Sequence, residues 1–567
     1  MNVYPLARIL SGVIPQGFPA RFYRDAQAIM LLLLLIVLLF HDAVSGYWRY
    51  DDTFILWHAL NSKGLSAFYN PSVWQQLSAA NLTPWATFSF KVDLKLAGIS
   101  PQFFYIHQLF SLGLVAIAAY ALCRQWVSTF WAWLCVCLFL VGAPVAVVAN
   151  QLMTRHYLEG MLFALLAMLA FVLALRQQRL AWAVAGALAY ALATTAKEVY
   201  VPLVLLVFVI PPFNNFSLRL RLAVPYVCVA VLYVFWRQYM LGVTLGGYVE
   251  TSAITGFPVV EILRSAARLP EFIFGPGWRW PTLLAAAAVV AASIANRSLF
   301  PLACALVVVV FAPLIPLFAA GLLTTADRLL FVFWFVASMT SVLAISRSAT
   351  FISSNKIAQY VVGGTVCLIL AAFAFNQSVA ASRGFADVNR EYDVHGRFIF
   401  RADARDAFVP TQLIVNNYWY VASLCDIKRR MGMACPQSLI RGLPVRSDFE
   451  RLYVYDPTQK AMADISYRRN DEIARIKWVD SLRPLSVWLE SNESLRWRFG
   501  PYDNGHYYIA SPRYGRYHFQ KSGLLRIGLS DLSFYIQYES PEGWITSSPL
   551  LHVRRGQSVD WQRTASD

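Results

Sequence analysis

The sequence predicts a polytopic α-helical membrane protein, with about eleven transmembrane helices followed by a soluble C-terminal α+β domain. Of its 567 residues, 58% are hydrophobic and 14% are charged, whereas soluble domains carry roughly 25% charged residues. Long apolar runs alternate with short loops that contain charged residues, proline or glycine. Residues 1–379 hold 22 Lys and Arg and 11 Asp and Glu, and residues 380–567 hold the other 26 and 21. This change in composition predicts a domain boundary near residue 380.

Apolar runs of near-spanning length are predicted to form the transmembrane helices. The first follows a basic segment with Arg8, Arg21 and Arg24, which predicts a cytoplasmic N-terminus. The predicted spans cover residues 27–46, 103–123, 128–149, 157–175, 180–196, 199–213, 222–240, 281–296, 299–320, 329–346 and 357–378. Long polar and aromatic loops, residues 41–102 and 241–280, are predicted on the outer side.

The loop charges indicate the orientation in the membrane. With the N-terminus inside, the predicted cytoplasmic loops contain Lys and Arg but no acidic residue, and the acidic residues from Asp42 to Asp327 fall on or near the other side. An odd number of spans then places residues 380–567 in the periplasm of a bacterium, outside its inner membrane. Of the net charge of +16, +11 lies in residues 1–379, where the positive-inside pattern accounts for it, so we expect no nucleic-acid partner.

The C-terminal domain, residues 380–567, is predicted to mix helices and strands. Residues 403–430 and 470–478 are helix-like, whereas residues 506–510 and 532–538 alternate or cluster β-forming residues between turn signals. Cys425 and Cys435 are the two cysteines of this domain. They could form a disulfide if the domain faces an oxidising compartment.

The first outer loop contains two adjacent carboxylates, Asp51 and Asp52. Adjacent carboxylates repel each other, so the pKa of at least one should be raised unless a cation neutralises the pair. Such a pair suits a general base or a divalent-metal ligand. The alternative is structural: either residue could cap an interfacial helix.

Three further charged clusters are predicted at the same outer face. The structural alternatives for the three clusters are, in chain order, an ion pair between residues four apart on one helix face, a lysine that snorkels to the membrane interface, and a surface ion pair. These clusters are Arg155, His156 and Glu159; Lys197 and Glu198; and Asp327 and Arg328. Ionisable residues so close to hydrocarbon are costly and are therefore functional candidates. Carboxylates and cations together at a lipid–water boundary favour chemistry on a phosphorylated lipid.

Residues 1–379 resemble the GT-C superfamily of integral-membrane glycosyltransferases, which use polyprenyl-phosphate-linked sugars on the outer side of the membrane. The resemblance rests on three short motifs: Tyr50-Asp51-Asp52 in the first outer loop, Ala196-Lys197-Glu198 before an apolar run with Pro202, and Asp327-Arg328 opening a late span. It implies that Asp51 or Asp52 is the catalytic base. It also implies that Lys197 and Arg328, with Arg155, bind the donor phosphate.

The resemblance further implies a supporting polar site made of His156, Glu159, Glu198 and Asp327. Some relatives carry an Asp-x-Asp-like pair in the second outer loop, which this chain lacks. A divalent metal (Mg or Mn) is therefore uncertain, with Asp52 and Glu159 as its ligands if it is present. The Trp-Trp-Asp signature of oligosaccharyltransferases is also absent, which argues against transfer to asparagine.

The expected function is transfer of a sugar from a polyprenyl-phosphate donor to a hydroxyl of a glycan, lipid or protein acceptor. The competing hypothesis is a transporter or flippase of lipid-linked glycans, which should show inverted repeats and broken helices; we find no repeat. A non-enzymatic assembly or sensor protein is a third possibility, and it leaves the charged clusters unexplained.

Overall fold

A computed structural model describes residues 18–564 except 79, 213–214, 245–258, 280–281, 283–299, 316–317, 319–327, 353–354, 441–442, 444–447, 477–479, 493, 512–514, 526–530 and 555. The described chain is mostly helical up to residue 401 and rich in β-strands after it. The change from helices to strands follows the rise in charge that the sequence shows.

Helices α1 to α15 build the first part of the chain. They are α1 (Phe18–Phe40), α2 (Asp52–Asn61), α3 (Ser66–Tyr69), α4 (Pro71–Trp74), α5 (Pro84–Ala97), α6 (Pro101–Cys123), α7 (Thr129–Leu140), α8 (Ala143–Ala149), α9 (Arg155–Gln177), α10 (Leu180–Ala196), α11 (Phe216–Leu241), α12 (Val259–Phe274), α13 (Phe300–Phe311), α14 (Phe331–Ile352) and α15 (Lys356–Arg401). Short 3₁₀ segments lie at His41–Ser45, Leu152–Thr154, Glu198–Phe208, Ala312–Leu314 and Arg328–Leu330.

Six of the described helices are long and apolar enough to cross a membrane, or up to seven if a bent pair is one span. The six are Phe22–Ser45, Pro101–Cys123, Leu152–Gln177, Phe216–Leu241, Arg328–Ala349 and Lys356–Arg401. The bent pair is α7 and α8, which meet at 67° where Gly142 and Pro144 interrupt the helix. The chain is therefore a multi-helix membrane protein.

The predicted count of eleven spans is not confirmed. Helix α10 has 17 residues, and the predicted span 199–213 is a 3₁₀ segment of 11 residues that contains Pro202. Proline lacks the backbone N–H that an α-helix needs, so this run is too short and too irregular for the predicted helix. The span predicted at 281–296 and parts of those at 299–320 and 199–213 lie outside the described residues.

Helix α15 connects the membrane part to the C-terminal part. It runs for 46 residues, or about 70 Å, which is more than twice the thickness of the hydrocarbon core. The predicted boundary near residue 380 therefore falls inside this helix. The second half of α15 packs against the predicted first outer loop, residues 41–102, and against a later helix, α17 (Trp419–Arg430).

The C-terminal part begins with a four-stranded sheet and two helices. The sheet has the order β2-β1-β3-β4, with β1 (Asp406–Val409) parallel to β2 (Gln437–Ser438) and β3 (Arg451–Asp456), and β4 (Ala461–Asp464) antiparallel to β3. Between β1 and β2 lie α16 (Gln412–Asn416) and α17 (Trp419–Arg430). The predicted helix 403–430 is thus wrong in its first part, where Ala407 and Phe408 are buried in the sheet.

The strands between Asp480 and Arg563 form two further sheets around a common apolar core. One has the order β10-β7-β6-β14; in the other, β5-β12-β11-β8-β9 are joined by β13. The strands are β5 (Asp480–Ser481), β6 (Leu485–Ser491), β7 (Leu495–Gly500), β8 (His506–Ser511), β9 (Gly515–Phe519), β10 (Ser522–Leu525), β11 (Asp531–Glu539), β12 (Ile545–Ser547), β13 (Leu551–Arg554) and β14 (Gln557–Arg563).

Two sequence predictions for the C-terminal part are confirmed. The alternating segments 506–510 and 532–538 are β8 and β11, which pair antiparallel. The helix predicted at 470–478 corresponds to α18 (Arg469–Ile476), and residues 477–478 lie outside the described residues. Cys425 and Cys435 are joined by a disulfide that ties α17 to the segment following it.

Candidate active site

The first outer loop turns sharply at Tyr50, whose φ of 47° is positive, and helix α2 starts two residues later. Asp51 occupies the N-cap position of α2, but its side chain makes no capping hydrogen bond. The structural explanation for this carboxylate, a helix cap, is therefore not met. The two carboxylates instead point to different partners.

Asp52 is completely buried. Its Oδ2 accepts a hydrogen bond from the backbone N–H of Arg49 (2.8 Å), and its Oδ1 accepts one from that of Met153 (2.6 Å). Burial raises the pKa of Asp52 to about 8, although these two N–H groups act to lower it. Both oxygens are occupied by protein donors, so Asp52 holds the first outer loop to the segment Leu152–Thr154.

Asp51 is only partly buried, and it faces the C-terminal part. Its Oδ1 accepts a hydrogen bond from Trp419 Nε1 at 2.9 Å, and Trp419 is the first residue of α17. Burial raises the pKa of Asp51, while the charge of Arg328 and the Trp419 hydrogen bond act to lower it. Its Oδ2 accepts no hydrogen bond from the described residues, and a carboxyl with a raised pKa and such an oxygen is suited to accept a proton.

Arg328 interacts electrostatically with three of the other predicted site residues. It opens the 3₁₀ segment Arg328–Leu330, and its charge acts on the Asp51 carboxyl, the His156 ring and the Lys197 ammonium. These residues come from four segments that are far apart in sequence. The site therefore combines one acid with two cations that interact electrostatically.

Lys197 is positioned by a break between two helical segments. Helix α10 ends at Ala196, and Lys197 has an extended backbone before the 3₁₀ segment begins. Its side chain is 7% exposed, lies 3.7 Å from a carboxylate oxygen of Glu198, and sits 5.6 Å from the centre of the Tyr157 ring. Glu198 also lies 3.9 Å from Arg237, so it supports the cations rather than the acid.

Arg155 and Glu159 belong to a separate buried network. Arg155 is fully buried and donates to Asp93 at 2.5 Å and to the Phe104 carbonyl at 2.7 Å. Glu159 accepts from Trp85 Nε1 (2.7 Å) and Ser89 Oγ (2.8 Å). His107 connects the Arg155–Asp93 pair with Glu159: its Nδ1 lies 2.7 Å from Asp93, and its Nε2 lies 3.4 Å from Glu159.

This network changes the roles expected for its members. The guanidinium of Arg155 is occupied by protein acceptors, so we do not include it among the phosphate ligands. The expected metal ligands, Asp52 and Glu159, each have both oxygens in hydrogen bonds with protein donors. Among the described residues, no group of three or more His, Cys, Asp or Glu could hold a metal. These residues do not fit a divalent-metal site, and Asp327 lies outside the described residues.

Several residues that support the site were missed by the sequence reasoning. Arg49 donates two hydrogen bonds to Asp393 on α15 (2.8 and 2.7 Å). Tyr420 on α17 donates to the carbonyls of Trp48 and Tyr392. Both contacts clamp the first outer loop from the C-terminal side. Arg49 and Asp393 are 344 residues apart, and Tyr420 and Trp48 are 372 apart, so the sequence contains no local signal for these contacts.

Comparisons with known proteins add no assignment. The chain matches no protein-family model, and it matches no curated protein. The geometry of the site is therefore the basis for the function proposed below.

Proposed function

We propose that the protein is a membrane glycosyltransferase that moves a sugar from a polyprenyl-phosphate donor to an acceptor hydroxyl on the periplasmic face of the inner membrane. The observation that carries this proposal is that the charge of Arg328 acts on the Asp51 carboxyl, the His156 ring and the Lys197 ammonium. Displacement of a lipid phosphate requires a group that accepts the proton of the acceptor and positive charge that stabilises the leaving phosphate. The acid and the two cations supply these two functions.

In the proposed reaction, the acceptor hydroxyl oxygen attacks the anomeric carbon of the donor sugar. Asp51 takes the hydroxyl proton as the new glycosidic bond forms. The bond between the anomeric carbon and the phosphate oxygen breaks, and the polyprenyl phosphate leaves with the bonding electrons. Lys197 and Arg328 stabilise the negative charge that develops on this phosphate.

The proposal assigns different tasks to the two adjacent carboxylates. Asp51 has one oxygen held by Trp419 and is the proposed base. Asp52 is the proposed positioning residue, because its oxygens are both held by backbone N–H groups. The hydrogen bonds of Asp52 then fix the backbone of the first outer loop, and this orients Asp51 toward the substrate.

The test compares Lys197→Gln and Arg328→Gln with Lys356→Gln, a matched control at the exposed start of α15. Membranes with each variant receive a radiolabelled pool of polyprenyl-phosphate sugar, and label is followed into envelope fractions. We expect each site variant to lower transfer by about 10²-fold or more, the usual loss for one charge-stabilising donor. Transfer at the control rate in both site variants would refute the phosphate assignment.

The same assay separates the competing function. A flippase would move labelled lipid across the bilayer without forming labelled acceptor. Label that crosses and is never transferred, in the intact chain, would replace the proposed function with transport.

A further inference from the structure

A cavity separate from the candidate active site is lined by residues of the first outer loop, α8 and α15. Its volume is about 770 Å³, and it opens between the start of that loop, the end of α8 and the second half of α15. Pockets of roughly 300–1,000 Å³ hold small ligands. Asp51, His156, Lys197 and Arg328 do not line it, so it is distinct from the site described above.

One face of α15 forms the long wall of this cavity. The lining positions recur at helical spacing and include Ser382, Phe385, Asn389, Arg390 and Arg397. Asp393 also lies on this face, but its charge is neutralised by Arg49 at 2.7 Å. The wall therefore combines apolar residues at its Phe385 end with arginines farther along the helix.

Two arginines leave positive charge at the cavity. Arg390 is exposed, and Arg397 donates to the Ser45 carbonyl at 2.8 Å and lies over the Tyr47 ring. Neither of them pairs with a carboxylate within the ranges that the structure describes. The remaining acid of the lining, Asp42, is exposed and lies 3.2 Å from His41. An anion would find two guanidinium groups that can donate to it.

Two amide side chains of the lining have buried oxygens without a donor. Gln151 is 3% exposed, and its Oε1 accepts no hydrogen bond from the described part of the chain. The same holds for Oδ1 of Asn389. A buried acceptor without a donor is costly, and hydroxyl groups of a ligand would satisfy both.

The cavity lies at the end of a membrane span. Asp42 and Ser45 line it, and the first candidate span is Phe22–Ser45. Ala146 and Val147 of α8 add apolar surface beside Phe385. This position corresponds to the level of the lipid headgroups. A ligand with a phosphate at one end and acyl chains at the other could contact the arginines of α15 and the apolar surface around Phe385.

We propose that this cavity binds the headgroup of an anionic, hydroxyl-bearing phospholipid, of the phosphatidylglycerol class. Arg390 and Arg397 bind the phosphate, and the glycerol hydroxyls donate to Gln151 and Asn389. The apolar wall around Phe385 accommodates the start of the acyl chains. This site is independent of the proposed transfer reaction.

The test measures lipid retention on the purified full chain by native mass spectrometry, with phosphatidylglycerol and phosphatidylcholine of the same acyl chains. We expect phosphatidylglycerol to bind about tenfold more tightly, because the net charge of the two headgroups differs by one. The double variant Arg390→Gln/Arg397→Gln should lose this preference. Arg383→Gln, an exposed arginine on α15 outside the cavity, should keep it.

A second comparison tests the hydroxyl contacts without removing charge. The intact chain should prefer phosphatidylglycerol over phosphatidylethanol, which lacks the glycerol hydroxyls, and Gln151→Leu should abolish that preference. Equal binding of the charged and zwitterionic lipids, or an unchanged preference in the arginine double variant, would overturn the proposal. Competition by glycerol phosphate as strong as that of the lipid would overturn the lipid assignment and identify a soluble phosphate ligand. Because Asp51→Asn should bind the lipid normally, failure here is separable from failure of the transferase.

Discussion

Replacement of Trp419 by phenylalanine tests how the C-terminal part controls the proposed base. The change keeps an aromatic ring but removes the Nε1–H that donates to Asp51 Oδ1 at 2.9 Å. A hydrogen bond to a charged group contributes about 1.5–3 kcal/mol, and one pKa unit corresponds to about 1.4 kcal/mol. The pKa of Asp51 should therefore rise by about one to two units.

The direction of the change in activity follows from the role of the base. Asp51 must be deprotonated to accept the hydroxyl proton, so the acidic limb of the pH–rate profile reports its pKa. In Trp419→Phe this limb should move to higher pH by about one to two units, with activity recovering when the pH is raised. The assay is transfer of labelled sugar in membranes, measured as a function of pH.

The matched control is Trp488→Phe, which removes an indole from β6 in the sheet β10-β7-β6-β14. Its profile should coincide with that of the intact chain. An unshifted acidic limb in Trp419→Phe, at normal protein level, would refute the link between Trp419 and the base. A loss of activity that is equal at every pH would indicate that Trp419 acts only by supporting the fold.

Three further changes probe the scaffold. Asp52→Asn places an amide nitrogen against one of two backbone N–H donors, and should lower stability by about 1–3 kcal/mol, measured as the denaturant midpoint in detergent. Arg155→Gln leaves Asp93 buried without its cation, and should cost about 3–5 kcal/mol, seen as reduced yield and melting temperature. Cys425→Ser opens the short loop closed by Cys435 and should cost roughly 2–3 kcal/mol, seen as faster proteolysis of the C-terminal part.

Each scaffold change has an internal check. The double variant Asp93→Asn/Arg155→Gln should recover part of the loss, because neither charge is then left alone in the interior. Thiol labelling that finds Cys425 and Cys435 reactive in the intact chain would contradict the disulfide. A stable Asp52→Asn protein would mean that the two backbone hydrogen bonds do not hold the first outer loop.

The membrane class was predictable from the sequence because low charge and long apolar runs depend on composition alone. The strands β8 and β11 were also predictable, since alternation between turn signals is local. The count of spans was not. Pro202 and the Gly142–Pro144 break turn apolar runs into short or bent segments, and hydropathy measures apolarity rather than helix continuity.

The candidate site was predictable in its residue types and only partly in its roles. Asp51 stood out because it is adjacent to a second carboxylate, and Lys197 stood out because charge is costly beside hydrocarbon. Arg155 was expected to bind the donor phosphate or to pair with Glu159 four residues later, yet it pairs with Asp93 in the predicted loop 41–102. The contact of Trp419 with Asp51 spans 368 residues, and such a contact depends on the tertiary fold.

The most direct measurement for the central claim is sugar transfer by Asp51→Asn in membranes. Asp387→Asn, an exposed carboxylate on α15 that pairs with Lys460, is the matched control. If Asp51 is the base, transfer should fall by about 10²–10⁴-fold while protein level and the binding of the donor lipid persist, and the control should transfer normally. Transfer by Asp51→Asn at the rate of the control would contradict the proposed mechanism.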